Sequence, residues 1–163
     1  FNPDLKEKVV KRFPVQRLWL DPGKTYLCYD FWKEQFLGEV VKDLRVDVDP
    51  GSVTLLSFHE KKDVPQLIST TRHVMQGAVE LEELSFDTSK NVLSGVSVAP
   101  MGSSYSVIVY IPDTYQWSPK QGKLYDDFEN YTVKKVDNNI LRVYLQFDNA
   151  TKINWKVGFE KVK

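Results

Sequence analysis

The stretch "LRVDVDPGSVTLLSFHE", Leu44 to Glu60, sets the fold class. Leu44, Val46 and Val48 alternate with Arg45, Asp47 and Asp49, so a pleated ribbon here has one apolar and one charged face. Asp49-Pro50-Gly51-Ser52 follows with turn chemistry, and "VTLLSFHE" resumes a strand-forming run. A period of two, a Pro-Gly turn and a second run predict an antiparallel hairpin.

The same grammar continues outward. Upstream lie "VQRLWL", the turn Asp21-Pro22-Gly23-Lys24 with Gly23 expected at positive φ, "KTYLCYDFW" and "QFLGEVV". Downstream come "AVELEELSF", the turn "DTSKN", "VLSGVSVAP" and "SYSVIVYIP". A polar loop is expected from Asp113 to Asn130, then "YTVKKV", "ILRVYLQF" and "INWKVGFEKV". Asn138-Asn139 suits a primed hairpin turn. Strand signals roughly ten residues apart, with turns between them, predict an all-β antiparallel β-sandwich. Helical spacing occurs once, in "PDLKEKVVKRF", where Leu5, Val9 and Phe13 recur every fourth residue between Pro3 and Pro14.

"QLISTTRHVMQGAVEL", Gln66 to Leu81, separates two sets of about six strands each. The expected organisation is therefore a helix or linker over 1–13 and two small immunoglobulin-like sandwiches in tandem, over 14–76 and 77–163. The seam falls near Met75 to Ala78. One larger sandwich sharing its core across that seam is the alternative.

Composition narrows the function classes. Among 163 residues, 22 Lys and Arg balance 22 Asp and Glu, so there is no basic footprint for a phosphate backbone. No apolar run approaches the ~20 residues of a membrane-spanning helix. One cysteine, Cys28, excludes an intramolecular disulfide, and with only His59 and His73 beside it no zinc-type cluster is spelled out. No cofactor is expected. Asn130-Tyr-Thr and Asn149-Ala-Thr match the glycosylation acceptor pattern, which is common by chance.

Catalytic constellations are weak. Arg72-His73 follows three hydroxyl residues, Ser69, Thr70 and Thr71, yet no nucleophile-elbow glycines surround Ser69. The pair reads as an interdomain seam element whose Arg ties carbonyls or a carboxylate. "VDVDP" and "VELEEL" carry alternating carboxylates, as any solvated sheet face does. Tyr115 and Trp117 alternate in a loop bounded by Pro112 and Pro119, where exposed rings would stack on the C–H faces of a sugar. The competing reading folds Trp117 back as a lid over one end of a sandwich.

Three motifs in order carry a resemblance. They are Tyr29-Asp30-Phe31-Trp32 with Leu37-Gly38, then Asp49-Pro50-Gly51-Ser52, then Pro65-Gln66-Leu67 through Arg72-His73 to Gln76-Gly77. Together they resemble the region after the catalytic barrel in clan D glycoside hydrolases of the alpha-galactosidase (melibiase) type. The similarity runs from about Arg17 to Gly95. In that family the nucleophile and acid/base are aspartates at barrel strand ends. A barrel needs about 200–250 residues of alternating strand and helix, so no catalytic residue transfers to this chain. The resemblance implies a non-catalytic accessory β-sandwich with a catalytic barrel as partner, in a periplasmic or secreted setting. A carbohydrate-binding module and an immunoglobulin-like scaffold or adhesion domain are the alternatives.

Overall fold

The computed structural model describes residues 1–72, 76–119 and 130–162. It is an all-β molecule of antiparallel sheets, divided into two compact units, Phe1–Lys61 and Lys62–Lys163.

Unit 1 contains β1 (Val9–Pro14), β2 (Tyr26–Asp30), β3 (Gln35–Val40), β4 (Asp43–Val48) and β5 (Leu56–Glu60). β1 pairs with β4, and β2 lies between β3 and β5. Val15, Cys28, Val40, Leu44, Val46 and Val48 form its core, so the apolar face of β4 is the face the alternation marks.

The expected hairpin is not made. Leu44–Glu60 does hold two strands, but β4 joins β1 while β5 joins β2 in another sheet. The turn itself closes, with Ser52 N–H on the Asp49 carbonyl at 3.3 Å and Gly51 at φ 61°. The chain start then occupies the groups a returning strand would use. Asn2, 1% exposed, donates its amide to the Val48 and Asp49 carbonyls at 3.2 Å each. Its backbone N–H bonds the Ser52 carbonyl at 2.9 Å, and Gly51 N–H bonds the Asp4 carbonyl at 2.7 Å. With those positions filled, the chain turns a corner instead of doubling back.

The N-terminal helix is also absent. Asp4 Oδ1 accepts from the N–H groups of Lys6 (2.7 Å) and Glu7 (3.0 Å), which holds its carboxyl below the usual range, but this turn does not propagate. Leu5 is 82% exposed, so the four-residue spacing buries no stripe. β-Branched Val9-Val10 instead opens β1, which pairs from Val9↔Val48 to Pro14↔Asp43. Conversely, Val15–Leu18, read as strand, forms one 3-10 turn.

Unit 2 contains β6 (Gln66–Thr70), β7 (Leu81–Asp87), β8 (Val92–Val98), β9 (Ser104–Tyr110), β10 (Tyr115–Trp117), β11 (Tyr131–Asp137), β12 (Ile140–Gln146) and β13 (Lys152–Lys161). One sheet runs β10-β13-β8-β7 and the other β11-β12-β9-β6. Their inner faces meet in one core, with Leu141, Val143, Leu145 and Phe147 from one side and Ile153, Trp155, Val157 and Phe159 from the other.

The division falls at Lys61/Lys62, not near Met75 to Ala78, of which Met75 lies outside the described residues. β6 decides it, because Gln66–Thr70 pairs with β9 and so belongs to the second sandwich. Two turn expectations also change. Gly23 does not take positive φ; Asp21 Oδ1 caps its N–H at 2.8 Å. Nor do Asn138 and Asn139. Asp137 Oδ1 accepts from Asn138 N–H at 2.6 Å and a bulge between Lys135 and Asp137 absorbs the twist.

Two buried acids link the fold to pH. Burial pushes the Cys28 thiol from 9.0 up to about 12, with the Asp30 carboxylate adding to it. Burial likewise raises the Tyr105 phenol from 10.0 to about 12. Both folded values lie above the unfolded ones, so the folded chain holds protons that the unfolded chain releases. This stability is fully present below pH 9.0 and is lost as pH climbs toward about 12. Urea unfolding followed by circular dichroism should give a midpoint that is level through neutral pH and falls above it; a midpoint unchanged under alkali would contradict the burial of both groups.

Candidate functional site

The site is built at the end of β6 in unit 2. Thr71 is locked to β9 on both sides, its N–H on the Ser106 carbonyl at 2.9 Å and its hydroxyl accepting Ser106 N–H at 2.8 Å. The chain then folds back. Gln76 N–H reaches the Arg72 carbonyl at 3.1 Å, and Gln76 and Gly77 take φ 46° and 110°. Gly77 is needed there. A Cβ would meet Leu67 Cδ2 at 2.8 Å, and the backbone is left-handed.

Glu80 anchors this return. It is 5% exposed, and one carboxylate oxygen accepts from the Thr70 hydroxyl at 2.5 Å and from Gly77 N–H at 2.8 Å. Its carbonyl takes Val98 N–H at 2.9 Å and the Tyr105 hydroxyl at 2.8 Å. One residue thus fastens β6, β8 and β9 together. Sequence reasoning places Glu80 with the solvated carboxylates of "VELEEL". That reading holds for exposed Glu82 and Glu83 and fails for Glu80. Alternation alone carries no signal that separates them.

Beside this anchor lies a cavity of about 840 Å³, within the range that holds small ligands. Val79, Val98, Ala99 and Pro100 give it an apolar wall, and Arg72, Glu82 and Lys152 give it charge. The charges are not equivalent. Lys152 Nζ is tied to Glu82 at 2.5 Å, and that bond raises the lysine's pKa. Arg72 lies over the Tyr105 ring, 5.4 Å from its centroid, and reaches Ser103 Oγ at only 3.5 Å. Among the described residues no carboxylate is within ion-pair reach of Arg72.

The residues singled out by sequence fall differently. Arg72 belongs to unit 2, and the side-chain contacts described for it, Tyr105 and Ser103, are in the same unit. His73 lies outside the described residues. Tyr115 and Trp117 do not form an open loop: they belong to β10, which pairs with β13 from Tyr115↔Lys161 to Trp117↔Phe159. Their shared face points into the core. Tyr115 is 7% exposed and meets Phe86 edge-on at 5.6 Å, and Trp117 is half-buried against the same cluster. Residues two apart share a strand face, so burying one buries the other. The exposed tryptophans are in unit 1, with Trp19 at 97% and Trp32 at 52%. Among the described residues no three His, Cys, Asp or Glu side chains gather to hold a metal.

No family model, curated protein or solved structure matches the chain.

Proposed function

We propose that this chain is a non-catalytic accessory β-sandwich region of a clan D-type glycoside hydrolase, with unit 1 docking against a catalytic barrel. The motif order from Tyr29 to Gly77 supports the enzyme class, and the surface of unit 1 supports docking.

One observation carries the reading. Trp19 is 97% exposed and sits at φ 60°, closing the 3-10 turn at a position where glycine is ordinarily found. A bulky residue held left-handed costs about 1–3 kcal/mol, and nothing in the fold repays it by burial. Such strain points to a residue kept for contact. Other apolar side chains of the unit are exposed with it: Phe1, Leu5, Trp32 and Val53. The Asn2 bonds to Ser52 and the turn around Gly51 bring Phe1, Leu5 and Val53 to one end of the unit. A cluster of exposed apolar side chains such as this end of the unit is the kind of surface a docking partner covers.

Sedimentation velocity of the chain mixed with the clan D catalytic barrels of its source organism tests this. One barrel should form a complex that Trp19→Gly disrupts, while the same substitution raises the stability of unit 1 by about 1 kcal/mol by relieving the left-handed strain. No complex with any of those barrels, or one indifferent to Trp19, would remove the proposal.

A further inference from the structure

The geometry points to the Arg72 cavity of unit 2 as a binding site for a uronic acid, a pyranose bearing a carboxylate. The choice of a sugar rests on the carbohydrate setting proposed above; the choice of an acid rests on Arg72.

The charged groups facing the cavity can be taken one at a time. Lys152 and Glu82 neutralise each other at 2.5 Å. Glu80 keeps its charge, but it is 5% exposed and one of its carboxylate oxygens is held by Thr70 and Gly77, turned into the wall. Arg72 remains, with its planar fork held over Tyr105 and one long hydrogen bond to Ser103. Tyr105 is itself stacked on Phe147, centroids 5.6 Å apart at 12°, so the platform under the guanidinium is rigid. A guanidinium positioned by a ring and lacking a carboxylate partner among the described residues is preorganised for a bidentate one.

The rest of the wall fits the body of a pyranose. Val98, Ala99 and Pro100 form an apolar floor for the C–H face of the ring. The Lys152–Glu82 pair and the Thr71 and Thr151 residues of the lining supply donors and acceptors for ring hydroxyls. A purely apolar acid would leave that polar edge unmatched, and a neutral sugar would leave Arg72 unmatched.

The experiment is an NMR titration of the whole chain with D-galacturonate, methyl galactopyranoside and cyclohexanecarboxylate, at low and high salt. Galacturonate alone should shift the amides of Val98 and Ala99, and its affinity should fall with salt. Arg72→Gln should weaken it about tenfold or more, and Arg72→Lys by less, since charge without the fork is retained. Arg72 also packs on Tyr105, so Val79→Trp is the second variant: it fills the cavity mouth at an exposed position, leaves Arg72 in place, and should weaken binding as well. Equal binding of the neutral sugar overturns the acid site. Equal binding of cyclohexanecarboxylate overturns the sugar. No shift with any probe, or shifts unchanged in both variants, overturns the site altogether. None of these results touches barrel docking by unit 1, which the sedimentation experiment reads separately.

Discussion

Trp155→Ala should destabilise unit 2 by about 3–5 kcal/mol, read as a large fall in its urea midpoint with little change in unit 1. The indole is 1% exposed at the centre of β13, between the two sheets. Its Nε1–H donates to Ser97 Oγ at 2.8 Å, and Ser97 is itself fully buried. Alanine therefore leaves a cavity and takes away one of the hydrogen bonds of Ser97, whose hydroxyl keeps the Tyr105 phenol as a partner. Trp155→Phe separates the two terms. It refills most of the volume and loses only the indole N–H to Ser97, so it should cost about 1–2 kcal/mol. A Trp155→Ala protein unfolding near the wild-type midpoint would mean that the two sheets do not close over this ring.

Gly95→Ala should be damaging for a single added methyl, costing about 1–3 kcal/mol or more. Gly95 is the partner of Trp155 across β8 and β13. A Cβ there would lie 2.3 Å from Trp155 Cζ2 and 2.6 Å from Cε2, well inside contact distance. The ring cannot step aside, since Ser97 pins its nitrogen and the core packs its rim. The substitution is thus felt only because the indole is present. In a Trp155→Ala background, Gly95→Ala should add almost nothing, and the double variant should match Trp155→Ala alone. Additive costs would mean that Gly95 matters for its backbone, not for the space it leaves.

This pair also shows what the sequence makes legible. "INWKVGFEKV" and "VLSGVSVAP" read as strands, and period two places Trp155 beside Ile153 and Val157 on one face, as found in the core. Strand existence was readable because each strand is a local pattern. Partner choice was not. Leu44 to Glu60 spells a hairpin, yet Asn2, more than forty residues upstream, bonds the turn carbonyls and the ribbon crosses between sheets. A single buried amide has no periodic signature. The same holds for the N-terminus, where four-residue spacing is outweighed by the free edge of β4.

The site was legible only in part. Arg72 stands out in the sequence and lines the cavity of about 840 Å³, but Glu80, which holds that loop, is indistinguishable by pattern from its exposed neighbours. Tyr115 and Trp117 misled because prolines on either side resembled the ends of an open loop. A three-residue strand pairing with β13 is too short to read, and it turns both rings inward. The ring that is bare, Trp19, sits in a stretch that reads as strand but bends through a 3-10 turn.

The most direct test of an assisting role is the release of nitrophenol from nitrophenyl α- and β-galactopyranosides by the purified chain, at acid and neutral pH. No release above the buffer rate is expected at any protein concentration. Turnover of about 1 s⁻¹ or faster, co-eluting with the chain through gel filtration, would contradict it.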